Sequence, residues 1–172
     1  MAKLPILLFP DPILRETAAP IERIDDALKD LVQDMLETMY KAPGVGLAAP
    51  QVGISRRLFV MDPTSKEEEA KPRFFLNPEI VERGDVMRIY EEGCLSLPDI
   101  FAEVERPSRV LVRHLGIDGE IKEEWLEGHQ ATVAQHEIDH LNGTLFIDHI
   151  SRLKRDMLIR KFRKARRDES VA

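Results

Sequence analysis

Apolar residues recur at helical spacing early in the chain. Between Asp25 and Ala42 they stand three or four residues apart, at Leu28, Leu31, Val32, Met35, Leu36 and Met39. This spacing predicts an amphipathic helix, because residues three and four apart share one helix face. Asp25 is a suitable cap at its start, and Pro43-Gly44 ends it. A glycine-rich loop, Gly44–Gly53, is predicted to follow.

Shorter apolar runs in the middle of the chain predict strands. These runs are Arg57–Met61, Phe74–Glu82, Met87–Tyr90, Val104–Leu115 and Glu120–Trp125. The last two are predicted to form a hairpin, because the segment Gly116–Gly119 between them ends in Asp-Gly, a strong turn signal. The polar, acidic segment Pro63–Lys71 is predicted to be a surface loop.

Two more helices are predicted in the last third of the chain. The first covers Gly128–Leu141 and ends at Asn142-Gly143, a favourable helix stop. The second covers residues 151–167, with Ser151 as its cap. Its inner side is expected to carry Leu153, Met157, Leu158 and Phe162. The closing residues 168–172 are expected to fray.

A helix, then several strands, then two helices predicts the α+β class, with antiparallel or mixed sheets rather than alternating βαβ units. With 172 residues, 43% of them hydrophobic, the chain fits one domain, residues 1–167, followed by the short tail 168–172. No apolar run reaches the length of a membrane span. The first residues lack the features of a secretory signal, so a cytoplasmic protein is expected.

The segment His136-Glu137-Ile138-Asp139-His140 lies inside a predicted helix. Its two histidines are four residues apart and share one face, so both imidazoles can bind one metal ion. Glu137 is then placed to act as a base toward water at that ion. No such pattern surrounds the other histidines, which are interpreted as ordinary surface residues: His114, His129 and His149.

A catalytic metal needs a third protein ligand and keeps one position for water. The longer motif of many zinc proteases places a histidine where this chain has Phe146. A thermolysin-like site needs a downstream glutamate, and after Asp148 only Glu169 is available. The single cysteine, Cys94, is therefore the attractive third ligand, since a thiol bound to a divalent metal is deprotonated. Two alternatives stay open, a zinc metalloprotease of the HExxH type and a non-catalytic metal-binding module.

Three segments resemble the motifs of bacterial-type peptide deformylases, the polypeptide deformylase family. They are Gly44-Val45-Gly46-Leu47-Ala48-Ala49-Pro50-Gln51, Glu92-Gly93-Cys94-Leu95-Ser96 and Gln135-His136-Glu137-Ile138-Asp139-His140. The resemblance runs from about Pro10 to Leu158. It implies partly wrapped sheets around a central metal-binding helix, with an N-terminal and a C-terminal helix. It also implies a metal-dependent hydrolase that removes the N-formyl group from the formyl-methionine of newly made proteins and releases formate.

The resemblance also implies residue roles. The metal ligands are Cys94, His136 and His140, holding one divalent ion per chain, usually Fe²⁺ in the cell, although Zn²⁺, Ni²⁺ or Co²⁺ suit the same set. The catalytic groups are Glu137, Gln51 and the backbone N–H of Leu95. The substrate-binding residues are Gly44, Val45, Gly46, Tyr90, Glu92, Gly93, His129, Thr132 and Val133. Asp139, Glu92 and Arg106 are candidates for orienting the ligands.

The charge of the chain is unevenly distributed. Residues 152–167 hold nine Lys or Arg and one Asp, whereas the whole chain has a net charge of −6. The basic helix is interpreted either as a solvated face that balances the acidic body or as a docking surface for the ribosome. The Gly44–Gly53 loop lacks the Lys-Ser/Thr of a phosphate-binding loop. The expected partners are N-formylmethionyl nascent peptides, with no membrane and no sequence-specific nucleic acid.

Overall fold

The structure, a computed structural model, describes residues 3–64 and 67–171, without the side chains of residues 170 and 171. Within them lie three α-helices, α1 (Asp26–Lys41), α2 (Gly128–Leu141) and α3 (Arg152–Val171). The strands are β1 (Gly46–Ala48), β2 (Leu58–Met61), β3 (Arg73–Arg83), β4 (Met87–Cys94), β5 (Leu97–Pro107), β6 (Arg109–Leu115) and β7 (Ile121–Glu127). Short 3₁₀ helices span Pro12–Arg15, Ala49–Val52 and Phe146–His149.

The strands form two sheets. One has five strands in the order β1-β2-β3-β6-β7, and the other is the hairpin β4-β5. Every ladder between these strands is antiparallel. The predicted α+β class is confirmed, and the antiparallel alternative is the one found.

The five-stranded sheet separates α1 from α2. Neighbouring residues of a strand point to opposite faces, so Leu58 and Val60 join the apolar cluster with α1, whereas Phe59 and Met61 join the cluster with α2. The hairpin β4-β5 contributes Leu97, Ile100 and Val104 to a third cluster. Since α2 contacts both the sheet and β5, residues 131–138 of this helix are all buried.

Several predicted elements are confirmed. Helix α1 begins after Asp25, whose carboxylate accepts a hydrogen bond of 2.9 Å from the backbone N–H of Leu28. Helix α2 has the predicted bounds. The hairpin β6-β7 turns through Gly116–Gly119, where Gly119 has a φ of +83°. The described part of the loop Pro63–Lys71 is exposed or half-buried, and Ser65 and Lys66 lie outside the described residues.

The predicted strand Val104–Leu115 is wrong as one element. Its first part belongs to β5, which pairs with β4, and its second part is β6, which pairs with β3 and β7. The chain changes sheets at Ser108, whose backbone N–H donates to Val86 at 2.8 Å. Similarly, the predicted loop Gly44–Gly53 contains β1, because its backbone finds a partner in β2.

The inner side of α3 also differs from the prediction. Leu153 and Met157 are 72% and 57% exposed, whereas Phe162 is 2% exposed. Instead Leu158, Ile159 and Phe162 pack against the third cluster, where α3 contacts β5. The helix continues to Val171 rather than ending at residue 167, and Ala172 lies outside the described residues.

No helix among the described residues combines the length and the apolar character that crossing a membrane requires.

Candidate metal centre

Three side chains from two elements meet in one place. Cys94 ends β4, and His136 and His140 lie one turn apart on α2. One donor atom from each of them lies within 4.8 Å of the others, and the Cys94 Sγ is 3.3 Å from the His140 Nε2. The structure thus brings together the three residues that the sequence predicted as ligands.

A hydrogen bond fixes which nitrogen of His136 faces the site. The Nδ1 of His136 lies 3.0 Å from Oε1 of Glu92, so Nε2 is left for a metal. Metal-binding histidines commonly donate their other N–H to a carboxylate in this way. Through this hydrogen bond Glu92 orients His136, one of the predicted ligands. The sequence had also predicted Glu92 among the substrate-binding residues.

The Glu92 carboxylate belongs to a chain of ionic contacts. Arg106 donates hydrogen bonds to this carboxylate from its Nε at 2.6 Å and from a terminal nitrogen at 3.0 Å. Arg106 also donates to Asp139 at 2.9 Å, and Asp139 contacts His149 Nε2 at 2.7 Å. Burial works against ionisation of Glu92, but the hydrogen bonds of His136 and Arg106 lower its pKa to about 2. The three residues predicted to orient the ligands are thus in contact, and sequence reasoning missed His149.

Glu137 has an environment in which its carboxyl group can both accept and release a proton. Its Oε1 is buried and has no hydrogen-bond partner within residues 3–64 and 67–171. Burial, reinforced by the charges of Glu92 and Asp139, raises the pKa of Glu137 to about 7. A methyl group at Gly46 would lie 2.5 Å from its Oε2, so the carboxyl group packs on the backbone of β1. Its unpaired oxygen can therefore accept a proton from a substrate or water.

The electrostatics of the two histidines fit a bound cation. Burial opposes a proton on His136, but the Glu137 charge and hydrogen bonds with Cys94 and Glu92 raise its pKa well above the ordinary value. Burial and the neighbouring His136 lower the pKa of His140 well below it. The acidic neighbours of His136 thus stabilise positive charge beside Cys94. A thiolate and two imidazoles are donors that suit zinc or iron.

Gln51 is held beside Cys94. Its Oε1 accepts the Ala48 N–H at 3.0 Å, and its Nε2 lies 3.1 Å from the Ser96 Oγ and 3.5 Å from the Cys94 Sγ. The amide group is buried and its NH₂ end faces the ligand set. Ser96 was not predicted, because its contact with Gln51 joins segments 45 residues apart. Leu95 lies in the turn after Cys94, with its side chain against Gly44.

A cavity of about 840 Å³ opens onto this centre. All nine residues predicted to bind substrate line it, together with Cys94, His136 and Glu137. Unpredicted parts of its wall come from residues 3–6 and from Pro98, Asp99 and Phe101. No local motif marks these segments, and only the fold brings them to the cavity.

Two of the histidines interpreted as surface residues are engaged elsewhere. His114 is 6% exposed and lies 2.9 Å from Glu124, so the surface interpretation is wrong for this side chain. His129 lines the cavity and stacks on Tyr90 at a centroid distance of 5.0 Å.

Known proteins share this fold and much of this sequence. A family model described as polypeptide deformylase matches residues 3–156. A peptide deformylase from Mesorhizobium japonicum is 54% identical over 166 residues, covering 96% of this chain and 94% of the relative. The peptide deformylase structure from Thermotoga maritima has a TM-score of 0.82 at 50% identity, covering 88% and 99%. That from Ehrlichia chaffeensis has a TM-score of 0.91 at 37% identity, covering 98% and 99%.

The antiparallel α+β fold and the Cys-His-His centre define a metal-dependent hydrolase. The chain belongs to the polypeptide deformylase family, whose members remove the N-formyl group from nascent peptides. The protease and the non-catalytic module are not favoured.

Proposed function

We propose that Cys94, His136 and His140 bind one divalent ion and that Glu137, Gln51 and Leu95 hydrolyse the formyl amide of N-formylmethionyl nascent peptides beside it. The observation that carries this proposal is the convergence of the three donor atoms within 4.8 Å, next to a buried glutamate whose Oε1 is unpartnered in the described part of the chain. The cavity supplies access for a peptide end.

The proposed ion is Fe²⁺ in the cell, with Zn²⁺, Ni²⁺ or Co²⁺ able to occupy the same ligands. A divalent ion held by Cys94, His136 and His140 would supply Lewis acidity, which would polarise the formyl oxygen and lower the pKa of a coordinated water toward neutrality. The hydrogen bond from His136 to Glu92 keeps the imidazole in the orientation that ligation requires. Purification without oxygen, followed by metal analysis of the active protein, tests which ion occupies the site. Iron at about one equivalent supports it, and zinc alone contradicts it.

Glu137 moves the proton. It takes one from the attacking water and delivers it to the amine nitrogen as the C–N bond breaks, so formate and a free N-terminus result. Its raised pKa, about 7, suits both halves of this transfer near neutral pH. Gln51 Nε2 and the Leu95 N–H donate to the oxygen on which negative charge grows. Donors fixed in advance stabilise that charge without reorganising.

Formate release from a formyl-Met peptide tests the activity most simply. A peptide with a blocked N-terminus and an internal methionine is the comparison, because a protease would cut it and this site should not. Glu137→Ala should abolish turnover while metal stays bound, and Glu127→Ala, at an exposed position, should change neither. Cleavage of the internal peptide, or full activity of Glu137→Ala, would overturn the proposal.

We also propose that α3 docks on the ribosome. Its exposed side carries Arg160, Lys161, Arg163 and Lys164, and ribosomal RNA presents dense phosphate charge. Phe162 belongs to the core, so truncating the helix would disturb the fold, and charge reversal is the cleaner test. Lys161→Glu with Lys164→Glu should weaken ribosome co-sedimentation, with a strong salt dependence in the wild type. Arg23→Glu with Lys29→Glu on the body serves as control, and equal pelleting of both double variants would contradict docking.

A further inference from the structure

Along α2 the cavity wall changes from apolar at Val133 to polar at His129. His129, Val133 and Glu137 are spaced by four residues, so they follow one face of α2, and all three line the cavity. With a rise of about 1.5 Å per residue, Val133 lies roughly 6 Å and His129 roughly 12 Å along the axis from Glu137. A side chain that leaves the reacting end along this helix meets Val133 first and His129 at its tip.

At that tip, polar groups contact one another. The rings of Tyr90 and His129 are 5.0 Å apart, and the Arg88 guanidinium lies 4.9 Å from the Tyr90 ring. Arg88 also donates to the Thr132 hydroxyl at 3.1 Å, and this hydroxyl donates to the Gly128 carbonyl at 3.3 Å. The hydroxyl of Thr132 is therefore already bonded, whereas neither ring nitrogen of His129 has a hydrogen bond to another described residue.

The ring of His129 has one definite donor. Burial and the Arg88 charge lower the pKa of His129, so the imidazole is neutral at neutral pH. Its Nδ1 is buried without a hydrogen-bond partner among the described residues. A buried N–H without an acceptor costs more than a buried lone pair, so the proton sits on Nε2. The accessible edge of the ring, opposite Nδ1, then presents an N–H to the cavity.

A thioether does not need this donor, because methionine sulfur is only a weak hydrogen-bond acceptor. Methionine sulfoxide has nearly the same length but is polar, and an apolar wall would leave its oxygen without a hydrogen bond. We propose that this cavity accepts N-formylmethionine sulfoxide as well as N-formylmethionine, with His129 donating to the sulfoxide oxygen. The inference rests on the proposed function and makes His129 a determinant of its side-chain specificity.

The test compares kcat/KM for formate release from formyl-Met-Ala-Ser and from each of its two sulfoxide epimers. The wild type should hydrolyse at least one epimer within about tenfold of the methionine peptide. His129→Leu should lower the sulfoxide-to-methionine ratio roughly ten- to hundredfold, as expected for one lost hydrogen bond to a buried group. His129→Gln, which keeps a donor, should retain most of the ratio.

Gln130→Leu is the matched control, because the neighbouring Gln130 does not appear in the cavity wall and the ratio should not change. The inference is overturned if wild type discriminates against both epimers by more than about tenfold, or if His129→Leu leaves the ratio unchanged. No formate from the methionine peptide would instead refute the proposed function itself.

Discussion

The Nδ1 of His136 lies 3.0 Å from Oε1 of Glu92, a carboxylate that is 4% exposed and shared with Arg106. This contact links the proposed metal ligand on α2 to the strand that carries Cys94. It fixes the ring orientation of His136 and compensates the buried charge of Arg106 at the same time. We therefore expect Glu92 to influence metal binding at the proposed site without contacting the ion.

Replacing Glu92 with Gln should weaken metal binding. Loss of a carboxylate behind a ligating histidine typically costs about 10- to 100-fold in metal affinity or activity. Titration of the apoprotein with Co²⁺, followed by visible absorption, measures the affinity. Glu105→Gln, at an exposed position of β5, should bind as the wild type does. An unchanged affinity of Glu92→Gln would remove this carboxylate from its supporting role.

Gly46→Ala should impair catalysis more than folding. The added methyl group would lie 2.5 Å from the Glu137 Oε2 and 3.0 Å from a methyl of Val133, so the carboxyl group must move. A misplacement of about 1 Å can cost on the order of 100-fold in rate. Steady-state kinetics with a formyl-Met peptide, alongside thermal melting, measures both effects.

Gly116→Ala is the matched control for Gly46→Ala. Its added methyl meets the Lys122 and Asp118 side chains in a turn. Both side chains are about half exposed and can move aside, so activity should persist. Wild-type kcat/KM for Gly46→Ala would show that Glu137 tolerates displacement and would contradict the packing argument.

Gln51→Ala should lower kcat more than it raises KM. Its Nε2 group is held by Ser96 beside Cys94, where in the proposed mechanism it donates to the formyl oxygen as negative charge grows there. Removal of one such donor typically costs about 10²- to 10³-fold in kcat. Gln33→Ala on the exposed face of α1 provides the comparison. A change confined to KM would assign Gln51 to ground-state binding.

Asp62 should contribute stability that disappears in acid. Burial opposes its ionisation, but hydrogen bonds from Thr64, Tyr40 and the Lys71 N–H hold its pKa below the ordinary 3.8. A depressed pKa means that the stabilisation is present above 3.8 and is lost as the pH falls through the folded-state value. Asp62→Asn should therefore lower the free energy of unfolding by about 1–3 kcal/mol at pH 7.

Urea unfolding of wild type and Asp62→Asn at neutral and at low pH checks this prediction. The difference between the two proteins should shrink in acid, where both side chains are neutral. Asp30→Asn, at an exposed position of α1, should show little difference at either pH. A difference in the free energy of unfolding between wild type and Asp62→Asn that stays constant across the pH range would contradict the lowered pKa of Asp62.

Local pattern determined what the sequence could predict. The bounds of α2 and the convergence of His136 and His140 follow from helical spacing alone. The sequence could not show that the chain changes sheets at Ser108, because strand partners lie far away along the chain. It also could not show that the Leu153 and Met157 side chains are exposed to solvent rather than packed against the core. Ser96 and His149 support the site through contacts with distant segments. Ser96 ends a recognised motif that does not reveal its contact with Gln51, and no motif surrounds His149.

X-ray absorption spectroscopy of the metal-loaded protein tests the central claim most directly. The account predicts one sulfur at about 2.3 Å and two imidazole nitrogens at about 2.0–2.1 Å if zinc is bound, with the sulfur signal lost in Cys94→Ser. A first coordination shell of nitrogen and oxygen alone in the wild type would contradict it.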